Sequence, residues 1–196
     1  MLFRSENGEQ TVDRVRLGIC GLGTVAGGTL QVLARNADSI AARTGRRIEV
    51  VHIGARRDRP EHDTGSIPVS RDLMEVATDP DVDILVELIG GTDYAGDLVL
   101  AAIANGKHVV TANKALIAER GNEIFAAAEA AGVSVAFEAA VAGGIPIIKA
   151  LREGLAANSV QWLAGIINGT GNFILTEMRD KGRAFADVLE IGRAHV

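Results

Sequence analysis

One cysteine in 196 residues, Cys20, rules out an internal disulfide framework, so the chain must be held together by a buried apolar core. Its neighbours at the end of the first predicted strand are apolar, which suits a buried, inert thiol and a reducing, cytoplasmic setting. An excess of basic residues is also missing, since 20 Lys and Arg stand against 25 Asp and Glu for a net charge of −5. That balance gives no general electrostatic reason to bind nucleic acid or an anionic membrane surface. Apolar runs are short and broken by glycine or charge, so none has the length of a bilayer span. Residues 1–13 lack the continuous apolar stretch of a secretory signal and read as a disordered leader. The four histidines, His52, His62, His108 and His195, have no His or Cys partners at ligand spacing, and no transition-metal site is expected.

What is present is an alternation of short apolar runs with helical patterns from Val15 onward, the signature of repeated βαβ units and a parallel sheet. Strands are expected at 15–20, 48–55, 83–88, 107–111 and 133–139. Helices are expected over 24–43, near 72–77, from Thr92 or Asp93 to about Asn105, and over 119–131. The stretch 56–70 reads as loop. Beyond Ala142, Gly143-Gly144 and Pro146 mark a break before a helix through Leu155. A further strand over 159–167 and a helix from Asn168-Gly169-Thr170 to about Lys181 open a second domain.

Gly21-Leu22-Gly23-Thr24-Val25-Ala26 follows the first strand and opens a helix, the context that a dinucleotide fingerprint requires. Gly21 permits the tight turn, Gly23 lets backbone approach a pyrophosphate at the positive helix end, and Ala26 stands where a third glycine is common. Gly21, Leu22, Gly23, Thr24 and Val25 are thus candidate cofactor contacts on a Rossmann-type, doubly wound α/β sheet. At the end of strand two, where NAD-selective sites often carry a carboxylate, the chain offers Ala55-Arg56-Arg57. Two guanidiniums suit a 2′-phosphate and favour NADP, although Asp58 nearby leaves NAD open. Gly90 and Gly91 end strand three and allow a nicotinamide to lie against backbone, while Glu87 before them needs a partner or water. Thr111-Ala112-Asn113-Lys114 follows the next strand, where a turn would aim the Lys114 ammonium into the crevice beyond the strands' carboxyl ends.

Together, Gly21–Val25, Glu87-Leu88-Ile89-Gly90-Gly91, Thr111-Ala112-Asn113-Lys114-Ala115-Leu116, the run from Glu138 to Arg152, and Asn168-Gly169-Thr170 resemble the homoserine dehydrogenase family. The order and spacing match from Val15 to about Glu190. The resemblance implies NAD(P)-dependent interconversion of L-homoserine and L-aspartate 4-semialdehyde in threonine, methionine and isoleucine biosynthesis, a small-molecule substrate, and a homodimer at full length. It implies that Lys114 moves the proton of the alcohol oxygen, with Thr111, Gly90 and Gly91 beside the cofactor. It also implies a structural sodium ion on Glu138, Val141, Gly143 and Ile145, although Gly143-Gly144 equally suits a plain domain crossover. Gly169 and Thr170 would lie near the substrate, with Thr170 open to a simple N-cap role. Gly171 and Phe173 depart from the family's usual threonine and tyrosine, which removes two hydroxyls.

The resulting division is a leader over 1–13, a nucleotide-binding domain over 14–142, the beginning of an α+β substrate and dimerisation domain over 143–190, and a tail over 191–196. That tail does not resemble the family's continuation and reads as non-native, and the chain reads as an amino-terminal fragment without activity of its own. Two other readings stay open: a non-catalytic dinucleotide-binding module, and a related amino-acid or semialdehyde dehydrogenase.

Overall fold

The computed structural model describes residues 13–165 and 169–194, with the side chains of Thr170 and 191–194 outside the described part. The leader expected over 1–13 therefore lies outside the described residues except for Asp13, as do Asn168 and the last two residues of the tail. The chain divides into two compact units, one up to Ala150 and one from Leu151.

In the first unit, β1 (Arg14–Cys20) is followed by helices α1 (Thr24–Arg35) and α2 (Ala37–Thr44), then β2 (Arg47–Gly54) and the short β3 (Val69–Ser70). Next come α3 (Leu73–Thr78), β4 (Ile84–Glu87), α4 (Asp93–Ala104), β5 (His108–Thr111), α5 (Lys114–Ala131) and β6 (Val135–Ala136). The strands form one sheet of order β3-β2-β1-β4-β5-β6 in which each neighbouring pair is parallel. The chain winds outward from β1 in one direction and restarts at β4 in the other, so a topological switch lies between β1 and β4. Beyond the carboxyl ends of those strands an open α/β sheet has its ligand crevice.

Burial on both faces explains the apolar strand sequences. Successive residues of β4 point to opposite faces, so Leu85 joins Leu73, Val76, Leu98, Val99, Leu116 and Ile124 while Val86 joins Leu17, Ile19, Ala26 and Ile53. At about 25 cal/mol per Å² of apolar surface, each fully buried Leu or Ile contributes roughly 2 kcal/mol, and this doubly covered core replaces the missing disulfides. Lys107 is buried beside β5, where its ammonium donates to the Val82 carbonyl at 2.9 Å and to that of Asp79. Among the described residues no helix is long and apolar enough to cross a membrane.

Several element boundaries differ from the sequence expectation. The helix expected over 24–43 is two helices, broken at Asn36, whose φ of −108° and ψ of 14° leave the helical region. The loop 56–70 ends in β3, because Ala55 donates to the Ser70 carbonyl at 2.9 Å and extends the pairing with β2. Thr92 precedes α4 without its side chain capping it, and Asp93 stands instead in the first turn, where its charge complements the helix dipole. The strand expected over 133–139 pairs only at Val135 and Ala136. At Phe137 the backbone turns to φ −136° and ψ 24° and enters a 3₁₀ turn, Glu138–Ala140, with the Phe137 ring 5.2 Å from that of Phe125. Pro146 stands just before a single turn, α6 (Ile147–Lys149), which continues as a π-helical turn to Gly154.

The second unit contains α7 (Gly169–Lys181) and α8 (Phe185–Ala194), which bury Ile174 and Val188. Glu177 receives Lys181 at 2.7 Å and Arg183 at 3.4 Å. No strand forms over 159–165, contrary to expectation, and Trp162 and Leu163 are exposed. A strand needs a neighbour for its amides and carbonyls, and the described residues of this unit supply none.

Candidate dinucleotide and reaction site

The turn after β1 is built by hydrogen bonds that leave little room for a side chain at its first residue. Gly21 has φ 104°, and a Cβ there would fall 2.7 Å from the Leu88 carbonyl oxygen. Its amide donates to the Gly54 carbonyl at 2.8 Å, while Leu88 donates to Cys20 at 2.8 Å, so the turn is clamped between β2 and β4. Gly23 differs, since nothing lies within 4 Å of the position its Cβ would take. One glycine is required by the protein's own packing, and the other leaves a cradle at the start of α1 where backbone amides meet open space. Thr24 and Val25 form that helix's first turn, and Ala26 is fully buried beneath it. Gly27, one residue on, lies under the His62 ring, which would sit 2.3 Å from an added Cβ.

His62 belongs to the wall of a cavity of about 370 Å³ lined by Leu22, Arg57, Asp58, Arg59, Pro60, His62, Thr64, Val69 and Arg71. Three guanidiniums face one carboxylate there, and that carboxylate, Asp58, is paired with Arg71. Arg71 also donates to the Ala55 carbonyl at 3.0 Å, which fixes the end of β2. Asp58 is therefore engaged with a cation, and the cavity beside the glycine turn has a basic lining. Sequence reasoning missed Arg71, fourteen positions beyond Arg57, because only the pairing of β3 with β2 brings it back. Arg56 points elsewhere, with its guanidinium carbon 4.7 Å from the centre of the Tyr94 ring.

Glu87 ends β4 fully buried. It does not reach solvent, which was one way its carboxylate could have been satisfied. One oxygen accepts from the Ile89 amide at 2.8 Å and the Gly90 amide at 3.2 Å, and the other accepts from the Thr111 hydroxyl at 2.6 Å. Thr111 Oγ1 in turn accepts from the Asn113 amide at 3.0 Å, and the Asn113 side-chain amide donates to the Gly91 carbonyl at 2.6 Å. Gly90 and Gly91 have φ of 75° and 77°, a left-handed pair that carries the loop tightly enough to meet this network. Asn113 Oδ1 accepts from the Leu116 amide at 3.1 Å and caps α5. Helix α5 consequently begins at Lys114, five residues earlier than the pattern 119–131 suggests, and Lys114 is an exposed first-turn residue where a turn was expected.

The loop from Glu138 to Ile145 has a different character. The Glu138 carboxylate accepts from the amides of Ile148 and Lys149, both at 2.9 Å, so it holds the start of α6. Its carbonyl accepts from Val141 at 3.2 Å, and that of Ile145 accepts from Ile147 at 2.8 Å. Ala142 adopts φ 52°, a left-handed conformation costly for a residue with a Cβ. Gly169 is the first residue of α7 in the second unit, and the Thr170 side chain lies outside the described residues.

The parallel sheet, the glycine turn at its switch and the crevice beyond it place the chain in the doubly wound α/β class whose switch-point crevice takes nucleotide ligands. Comparison with known families matches residues 21–138 to the homoserine dehydrogenase NAD-binding domain and residues 146–195 to homoserine dehydrogenase. The chain belongs to the homoserine dehydrogenase family. It is 67% identical over 180 residues to the homoserine dehydrogenase of Pseudomonas aeruginosa, covering 92% of this chain and 42% of that protein. The crystal structure of a Thiobacillus denitrificans homoserine dehydrogenase superposes with a TM-score of 0.87 at 62% identity, over 93% of this chain and 42% of that one. A hyperthermophilic archaeal homoserine dehydrogenase in complex with NADPH superposes with a TM-score of 0.78 at 26% identity, over 92% of this chain and 61% of that one. The chain spans about two fifths of the length of the bacterial relatives.

Proposed function

We propose that this chain supplies the cofactor half of an NAD(P)-dependent homoserine dehydrogenase that interconverts L-homoserine and L-aspartate 4-semialdehyde. The observation that supports the reading is the Glu87–Thr111–Asn113 network, which ties the Gly90–Gly91 loop to Asn113, the residue that caps α5 just before Lys114. The Gly21–Gly23 turn and the Gly90–Gly91 loop would hold the dinucleotide, which when bound in its reduced form would supply a hydride for the aldehyde carbon as the carbonyl's electron pair passed to oxygen. Lys114, as an ammonium, stabilises the developing alkoxide and gives it a proton. Its exposed position in the first turn of α5 leaves the ammonium accessible to a small molecule. The proposed substrate contacts Gly169 and Thr170 belong to a domain division near 142, with 14–142 binding the cofactor and 143–190 beginning the substrate and dimerisation part. The enzyme would act as a cytoplasmic homodimer in threonine, methionine and isoleucine biosynthesis.

NADP is the preferred cofactor in this proposal. The cavity beside Leu22 offers Arg57 together with Arg71, while Asp58, the carboxylate that would favour a 2′-hydroxyl, is held by Arg71. A sodium ion would be held by the carbonyls of Glu138, Val141, Gly143 and Ile145, an oxygen set suited to a hard cation. The turn bonds to Glu138 and Ile145 leave a second lone pair on each carbonyl, and the left-handed Ala142 between them supports a loop shaped for such a ligand. The ion's role there is structural.

The test is NADPH oxidation with L-aspartate 4-semialdehyde. The 196-residue chain is compared with a chimera that continues it with the remaining sequence of the Pseudomonas aeruginosa relative. Turnover by the chimera, lost on Lys114→Ala while NADPH still binds, is the expected result. A chimera that folds and binds NADPH but never turns over favours a binding module or a different semialdehyde.

A further inference from the structure

Arg56 follows β2 by two residues and Tyr94 is the second residue of α4, which follows β4. Both strands neighbour β1 and neither neighbours the other, so two strand spacings, about 10 Å, separate them. A guanidinium 4.7 Å from the Tyr94 ring centre must therefore reach over the carboxyl end of β1, where Gly21 to Gly23 turn. This contact crosses the path that any dinucleotide laid on that turn must take from its adenosine end to the loop before Lys114.

Arg56 is exposed and, among the described residues, has no carboxylate partner, whereas neighbouring Arg59 pairs with Glu61 and Arg71 with Asp58. Among the described residues, the contact recorded for its guanidinium is the face of the Tyr94 ring. Tyr94 is anchored by contrast, half-buried against the core cluster that contains Leu98 and Val99. A planar guanidinium stacks on aromatic rings with either face, so a guanidinium resting on tyrosine has its second face available to a purine.

We propose that Tyr94 is a positioning residue for the adenine end of the cofactor: it holds the Arg56 guanidinium over its ring and across the crevice, and adenine packs on the side of the guanidinium away from the ring. The proposal rests on the dinucleotide-binding reading and refines it, because it separates the two arginines. Arg57 lines the basic cavity and responds to the 2′-phosphate; Arg56 with Tyr94 responds to the base, whatever the 2′ group.

The experiment measures binding of NADP⁺, NAD⁺ and 2′,5′-ADP by calorimetry to the wild-type 196-residue chain and to Tyr94→Leu, Tyr94→Phe, Arg56→Ala and the Tyr94→Leu/Arg56→Ala double variant. Leucine preserves the apolar packing of position 94 and removes the ring. Tyr94→Leu should weaken all three ligands by a similar factor, about three- to tenfold, and Tyr94→Phe should restore binding because the ring face and not the hydroxyl is used. The double variant should lose no more than Arg56→Ala alone. Tyr94 is the chain's single tyrosine, so a ring-labelled sample gives one tyrosine NMR signal. That signal should move on addition of 2′,5′-ADP and stay in place with nicotinamide mononucleotide. Unchanged affinities in Tyr94→Leu, or a tyrosine signal unmoved by 2′,5′-ADP, overturns the proposal. Equal wild-type affinity for NADP⁺ and NAD⁺ would overturn the 2′-phosphate reading only, and the common loss in Tyr94→Leu would still uphold the role of Tyr94. No binding of any of the three by the wild-type chain overturns both.

Discussion

The Thr111 hydroxyl donates to the buried Glu87 carboxylate at 2.6 Å, joining the ends of two adjacent strands, β5 and β4, beneath the candidate reaction site. Two loop amides also donate to it, so among the described residues a carboxylate with no exposed surface is satisfied by a hydroxyl and two amides, with no cation paired to it. Removing it should disturb more than it would at the surface. Glu87→Ala leaves the Thr111 hydroxyl and the Ile89 and Gly90 amides without their acceptor, and should cost about 3 kcal/mol in urea unfolding. Thr111→Val should cost about 2 kcal/mol, with a coupling between the two sites in the double variant. Additive losses would show that the bond carries no shared energy.

The division of roles between the arginines makes a second prediction. Arg57→Ala should weaken NADP⁺ about 10- to 100-fold while leaving NAD⁺ nearly unchanged, because only the phosphate ester needs the charge-assisted bonds. Arg56→Ala should weaken both cofactors alike, and the double substitution should still hurt NADP⁺ more than NAD⁺. Equal losses for both cofactors in Arg57→Ala and in the double variant would remove the argument for a 2′-phosphate cavity.

Acid stability should depend on Asp83. Its carboxylate accepts from the Arg16 amide and guanidinium at 2.8 to 3.1 Å, and these bonds, with the charge of Arg16, outweigh burial and hold the carboxyl below its ordinary 3.8. A lowered folded-state value means that the stabilisation is complete above pH 3.8 and disappears as pH falls through that lower value. Asp83→Asn should therefore lower the melting temperature at pH 7, by about 2 °C for a pair this exposed, and should make little difference at the acid end of the titration. A loss independent of pH would assign the effect to packing.

Cys20 should be silent toward thiol reagents in the folded chain. Burial, with the nearby Glu87 charge, pushes its thiol up to about 12, and its sulfur lies 3.8 Å from the Leu73 carbonyl. Reaction with a disulfide reagent at pH 8 should track global unfolding in urea, whereas a rapid native-state reaction would show that β1 opens locally.

The alternation of apolar runs and helical patterns identified a parallel, doubly wound sheet from sequence, because strands buried on both faces leave no other composition available. Gly21 and Gly23 were equally legible in position, although only the structure separates their reasons: a clash with Leu88 excludes a side chain at one, and open space surrounds the other. Local hydrogen bonding moved the element ends. Asn113 began α5 at Lys114, Asn36 split one helical pattern into two, and the turn at Phe137 cut β6 to two residues. None of these leaves a periodic trace, since a cap or a break depends on one side chain or one pair of dihedrals.

What the sequence determined by itself is therefore the alternation of the main strands and helices in the first unit, the burial of those strands and the chemical types at their ends, all of which follow from local pattern. The partners of Glu87, the return of Arg71 to the cavity beside Leu22, and the reach of Arg56 to Tyr94 were decided by strand order. Placing β1 between β2 and β4 brings together residues far apart in the chain, and only the folded sheet defines those distances.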